Sequence, residues 1–303
     1  MAVAQKTNAN EDRGSLLVRG VLSDIWILGK PRITGMVLFS TAIGFLMAQH
    51  MSANWNVLWK LLAATWLLGS GVNALNQYLE RDTDAFMTRT RNRPLPAGRM
   101  RPLSVAVIGI TACSVGLIML GLWINPISAI VGVVVMVSYV AVYTPMKRMS
   151  PLNTLVGGLP GALPPLLGWV AARGTIDLEA WSLFLILFFW QPTHFMPIAY
   201  MYREEYTRAG LVMMSVEEPE RAPRVMILYT IALIPFSIFP SVIGLTGSFY
   251  TVSALLLGAA FLASAIVHAR SPSRKTALLH LKVSVIYLPL LWGVMLYDLQ
   301  GVV

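Results

Sequence analysis

The chain has 303 residues, 56% of them hydrophobic and 12% charged, with a mean hydropathy of +0.66. So apolar a composition excludes a water-soluble domain of this length and describes a polytopic membrane protein. The net charge of +9 would suit nucleic acid, but the cations recur loop by loop instead of forming one basic surface, which excludes that partner.

Residues 1–30 include Glu11, Asp12 and Asp24 and have no continuous apolar core ahead of a small-residue cleavage site. They read as a mobile cytoplasmic arm ending in a surface helix, not as a signal peptide. Residues 31–303 read as a single transmembrane domain. Apolar segments long enough for the hydrocarbon layer fall at about 33–50, 55–78, 103–122, 126–143, 154–171, 181–201, 225–245, 249–267 and 283–300. The prediction is an all-α protein of about nine transmembrane helices.

The cations alternate with the connections. Lys6, Arg13, Arg19, Lys30 and Arg32 lie before the first span, Arg81, Arg89, Arg91, Arg93, Arg99 and Arg101 after the second. Lys147 and Arg148, then Arg203, Arg208, Arg221 and Arg224, then Arg270, Arg274, Lys275 and Lys282 follow the fourth, sixth and eighth; Lys60 and Arg173 break the pattern. The positive-inside rule then puts the N-terminus and the even connections in the cytoplasm and the C-terminus outside, with the cations against anionic lipid.

Two cytoplasmic connections, 79–102 and 202–224, are long and polar, which is where function concentrates in membrane-embedded bundles. Each follows an even span, four helices apart, a spacing that hints at two related four-helix units and a ninth helix. The fifth span carries GGLPGALPPLLGW (157–169), with three Pro and four Gly, and predicts a kinked helix that lets another backbone come close. Cys113, the only cysteine, lies in an apolar run and reads as packing.

The second span ends in Asn76, Glu80 and Asp84. Four-residue steps on a helix advance about 400°, so these three oxygen-bearing side chains form one polar stripe. Two carboxylates and an amide suit Mg²⁺, whose remaining positions a substrate's phosphates fill. The plainer reading pairs the acids with Arg81, Arg89 or Arg91 at the membrane surface. Asp82 lies off the stripe and reads as loop support. In the second long connection Glu204 and Glu205 repeat the acidic chemistry. Lys147 and Arg148, after Tyr143, together with Arg89 and Arg93, offer a clamp for diphosphate oxygens.

These segments resemble the intramembrane prenyltransferases, in particular their haem-farnesylating members. The first Asp-rich motif of that family stands here as NQYLERDTD (76–84), and the continuation typical of the haem-farnesylating branch as MTRTRNRPLPAGR (87–99). KPRITG (30–35), YTPMKRMSPLNTLVGGLPGALPPLLGW (143–169) and WQPTHF (190–195) are also similar, so the resemblance spans most of the chain. REEYTRAGLVMMSV (203–216) departs from it, with Glu-Glu where the family often carries an Asp-bearing pair. The resemblance implies helices around a central cavity open to the cytoplasm. It implies farnesyl diphosphate and haem b as substrates and Mg²⁺ as cofactor, held by Asn76, Glu80 and Asp84 with Glu204 or Glu205. Lys147, Arg148, Arg89 and Arg93 would face the diphosphate. The product would be a farnesylated, hydrated haem for terminal-oxidase biogenesis, with a later haem-modifying enzyme as a further partner, in a bacterial or archaeal cell membrane.

His194, beside the predicted cavity, would ligate haem iron or orient a water, against the alternative of a histidine satisfied within a kinked helix. His50, His268 and His280 lie near predicted helix ends and read as interfacial. Trp55, Trp181 and Tyr250 read as an aromatic belt. Two rival functions stand beside this one. A quinone-pathway aromatic prenyltransferase would share the diphosphate end, and a transporter would use the acids as an ion path but place them near the bilayer midplane.

Overall fold

The structure, a computed structural model, describes residues 20–50, 52 and 54–299. It is helical throughout, and the only β contact among these residues is an isolated bridge between Thr246 and Leu299. A short helix α1 (20–28) precedes α2 (Pro31–Ala48), α3 (Trp55–Asp84), α4 (Pro102–Ile124), α5 (Pro126–Met146), α6 (Asn153–Arg173) and α7 (Leu178–Met201). Two short helices, α8 (Arg203–Arg208) and α9 (Met214–Glu217), lie in the next connection. Then come α10 (Ala222–Val242), α11 (Ser248–Arg270) and α12 (Arg274–Tyr297).

Eight of these helices are long and apolar enough to cross a membrane. The ninth long helix, α3, has 30 residues and is diluted by the polar residues of its last three turns. The predicted span 55–78 therefore stops short of the helix end at Asp84. Hydrogen bonding continues because the acids there find cations from other elements, so charge does not fray the last turns.

Local chemistry explains most boundaries. Pro stands in the first turn of α2, α4, α5 and α10, where its missing N–H costs nothing. The Asn54 and Asn125 side chains cap α3 and α5 by accepting from Val57 N and Ser128 N. α12 begins at Arg274, well before the predicted 283, because Ser273 and Thr276 form a reciprocal capping box ahead of the apolar run.

α6 and α7 form the middle of the bundle: 67% of their most apolar stretch is buried, against 28–44% in the other six spans. α6 packs on α2, α5 and α7, and α7 packs on α10 and α12. The predicted close approach of the Gly/Pro-rich helix is present. A Cβ on Gly168 would collide with the Thr41 carbonyl, and one on Gly44 with the Pro165 carbonyl, so α2 and α6 touch backbone to backbone. Cys113 is buried where α4 crosses α3 at Gly71.

Some sequence expectations need correction. His280 is fully enclosed and not at a helix end, because α12 starts early enough to carry it into the bundle; His268 stands in the last turn of α11, as expected, but is buried. Tyr250 is also fully buried and donates to the Ser237 carbonyl at 2.7 Å, so it is no belt residue, whereas Trp55 and Trp181 are exposed as expected. The helix expected at the end of the arm is present at 20–28, held by Asp24, Leu28 and Trp26; residues 1–19 lie outside the described residues.

Candidate active site

At the end of α3, Asn76, Glu80 and Asp84 are all buried and each is met by a different cation. Lys30 Nζ donates to Asn76 Oδ1 at 2.6 Å, Lys147 Nζ to Glu80 Oε1 at 2.7 Å, and Arg93 to Asp84 Oδ2 at 2.6 Å. The plainer pairing with Arg81, Arg89 or Arg91 is not found. Arg81 instead lies 3.8 Å from the exposed Asp82, and Arg89 and Arg91 are exposed. Partners come from the α1–α2 corner, the end of α5 and the arginine-rich loop, so three separated segments converge on one helix face.

Each segment is aimed by its own local structure. The last turns of α5 open into a π-helix over Ser138–Tyr143, a widened turn that recurs at functional sites. After it, Thr144 accepts from Asn76 Nδ2 at 3.1 Å and Lys147 lies over the Tyr143 ring, 4.6 Å from its centroid. The 85–101 loop folds back under its Pro and Gly residues: Thr90 donates to the Asp84 carbonyl at 2.8 Å, Leu95 is buried, and Gly98 adopts φ 69°. Arg99 then clasps Asp24 of α1 at 2.8 Å.

The ion pairs are enclosed, with side-chain exposures of 15% and 10% for Lys147 and Glu80, and 19% and 5% for Arg93 and Asp84. Burial opposes the Lys147 charge, but the Glu80 carboxylate overrides it and holds the ammonium well above its ordinary range. Lys30 is in the opposite position. Burial, followed by the like charges of Arg93 and Lys147, brings its ammonium down to about 7.

The second acidic connection meets the first. Glu205 accepts from Thr88 N at 3.1 Å, while Glu204 is exposed. Val212 is held on both sides, donating to the Lys147 carbonyl at 2.7 Å and accepting from Asn153 Nδ2 at 2.6 Å. Thus Lys147 is braced by Val212 of the second connection and by Glu80 at the end of α3. Arg148, its neighbour, is exposed and pairs with no acid among the described residues. The donor set fits Mg²⁺ with part of its shell supplied by a ligand: two carboxylates and an amide oxygen share a face, and no soft ligand is present. A cage built from protein alone is not formed, since no group of three His, Cys, Asp or Glu gathers among the described residues.

His194 lies in the other half, on α7. Its ring stacks on Trp190, with centroids 4.4 Å apart at 17°, and its Nδ1 is 2.8 Å from Ser284 Oγ. With Nδ1 engaged by Ser284, Nε2 is the ring nitrogen that no hydrogen bond among the described residues engages. Lys30 and Thr144 went unrecognised as site residues in the sequence. The available signal was KPRITG, whose lysine stands directly before a helix-starting proline but had been absorbed into the charge topology.

Residues 37–286 match the UbiA prenyltransferase family, and the chain belongs to it. The particular relatives narrow the class. Protohaem IX farnesyltransferase of Solibacter usitatus is 42% identical over 285 residues, 90% of this chain and 98% of that protein. The enzyme of the same name from Myxococcus xanthus is 45% identical, over 80% of this chain and 82% of its own length. Among solved structures, a digeranylgeranylglyceryl phosphate synthase superposes with a TM-score of 0.79 over 91% of this chain and 98% of its own, at 15% identity. A UbiA homologue from Archaeoglobus fulgidus bound to GPP and Mg²⁺ superposes at 0.61 over 90% of this chain and 99% of its own, at 14% identity. These distant likenesses establish the fold.

Proposed function

We propose that the chain transfers the farnesyl group of farnesyl diphosphate to a vinyl group of haem b, with addition of water, releasing diphosphate and giving haem O. The observation that carries this reading is the cation-braced face of Asn76, Glu80 and Asp84, in a chain whose relatives over nearly its whole length are protohaem IX farnesyltransferases. Asn76, Glu80 and Asp84 would hold Mg²⁺, with Glu204 or Glu205 contributing from the second loop; bound there, the metal would neutralise charge on the departing diphosphate.

As the allylic C–O bond breaks, its electron pair leaves with the diphosphate, and the ammonium of Lys147 and the guanidinium of Arg93 are placed where that charge develops. Arg89 and Arg148, exposed on the same loops, would reach the diphosphate's outer oxygens. Tyr143 keeps Lys147 in line through its ring face. The terminal vinyl carbon of haem b bonds to the farnesyl carbon, and water takes up the cation left on the adjacent carbon with loss of a proton. His194, with Nδ1 on Ser284, would turn Nε2 toward the haem end of the site.

A central cavity opening to the cytoplasm would join these two regions. The charge distribution supports a cytoplasmic N-terminus and an outside C-terminus, and the membrane would be a bacterial or archaeal cell membrane. The product is too apolar to travel through water and would pass to a later haem-modifying enzyme. The test is to express the chain in cells that lack haem O and weigh their haems. A farnesylated, hydrated haem is expected, and haem b alone would refute the assignment.

A further inference from the structure

The corner between α1 and α2 is held by three side chains of α3. Gln77 Nε2 donates to the Leu28 carbonyl at 2.9 Å and the Ile27 carbonyl at 3.3 Å, Asn73 Nδ2 donates to the Gly29 carbonyl at 3.3 Å, and Asn76 receives Lys30. Thr34 closes the turn by donating to the Gly29 carbonyl at 2.6 Å. Within this grip Lys30 adopts a left-handed backbone, φ 46° and ψ 65°. A residue with a Cβ is strained there and stays only where its surroundings over-determine it.

The cost of Lys30 does not end with its backbone. Its charge sits at the N-terminus of α2, the end at which the helix dipole disfavours cations. Arg93 and Lys147 each bond a carboxylate, but among the described residues Lys30 bonds only the neutral amide oxygen of Asn76, and it faces those two like charges. Three cations thus stand against two carboxylates. A half-buried ammonium with no acid partner is unfavourable by itself and becomes favourable once an anion with several oxygens enters.

We propose that Lys30 is a substrate-contacting residue: it binds the diphosphate of the allylic substrate, exchanging the Asn76 amide oxygen for a diphosphate oxygen and releasing Asn76 toward the metal. This rests on the reading of the site as a prenyl diphosphate site. It makes the α1–α2 corner a working part of the enzyme, with Asn73 and Gln77 as positioning residues that hold Lys30 in place.

The experiment compares the purified protein with Lys30→Met and Lys30→Arg in detergent. Three quantities are measured: binding of a thio-analogue of farnesyl diphosphate with Mg²⁺, binding of haem b by its Soret band, and the unfolding midpoint with and without the analogue. Lys30→Met is expected to weaken analogue binding roughly tenfold to a hundredfold, the loss of one charge-assisted contact, with haem binding unchanged. Its ligand-free midpoint should hold or rise, since an unpaired cation is removed, while the stabilisation by the analogue shrinks. Lys30→Arg should retain most of the binding. The proposal is overturned if Lys30→Met binds the analogue within about twofold of wild type. It is equally overturned if the variant's ligand-free midpoint and haem binding fall together, as for a brace. Failure of the wild-type protein itself to bind the analogue would instead defeat the diphosphate reading on which the proposal rests.

Discussion

The two halves of the bundle treat buried polarity in opposite ways. At the end of α3 the acids of the stripe form ion pairs, Glu80 with Lys147 from the end of α5 and Asp84 with Arg93 from the following loop. Among α7, α10, α11 and α12 the buried polar groups are hydroxyls and an imidazole: His280 lies 2.7 Å from Ser264 Oγ and 3.1 Å from Thr193 Oγ1, while Thr230 donates to Thr193 at 3.3 Å. Removing a charge from water costs several kcal/mol more than removing a hydroxyl. The ionic cluster stands where the chain emerges into loops, and the neutral network stands within the spans. The first arrangement gathers charge at the helix ends, and the second keeps its polar groups to short neutral hydroxyls and imidazole rings packed on aromatic neighbours.

Substitutions can break this contrast. Asp84→Ala has the largest expected effect. It strips a carboxylate from the stripe and leaves Arg93 without its partner, and farnesyl transfer should fall by about a thousandfold or more. Membrane insertion, followed by fractionation and protease protection, should be unchanged, and an active variant would remove Asp84 from the metal site. In the neutral half, Ser264→Ala leaves His280 without its 2.7 Å partner. The cost should be about 1–3 kcal/mol of stability, read as a lower unfolding midpoint at unchanged affinity for the farnesyl diphosphate analogue. A change in that affinity would mean that the two networks are coupled. Asp24→Asn, which loosens the partly exposed clasp to Arg99, should cost about 1 kcal/mol or less. Its effect should fade as salt is raised, and a salt-independent loss would show that the clasp acts through packing.

Much of the fold was legible because it follows from short-range rules. Apolar runs of spanning length located the helices, prolines and capping side chains set many of their starts, and the four-residue spacing of Asn76, Glu80 and Asp84 put them on one face. The Gly/Pro run of α6 announced a close backbone contact, though not that Thr41 and Pro165 would supply the opposing carbonyls. The early start of α12 was not legible, because its first turns are polar and are carried by the Ser273–Thr276 capping box. That extension is what brings His280 into the bundle.

The sequence by itself determined a membrane-embedded helical protein, the sidedness its cations favour, the acidic stripe, and the resemblance to prenyltransferases that act on haem. Tertiary structure alone decided which cation meets which stripe residue. Lys30 reaches Asn76 across 46 residues and Lys147 reaches Glu80 across 67, and no local pattern encodes pairings of that span. They arise because α3 grips the α1–α2 corner through Asn73 and Gln77, while the π-turn of α5 aims Lys147 at the stripe. The sequence could supply the charges, but only packing could choose their partners and, among the described residues, set Lys30 on an amide and not on an acid.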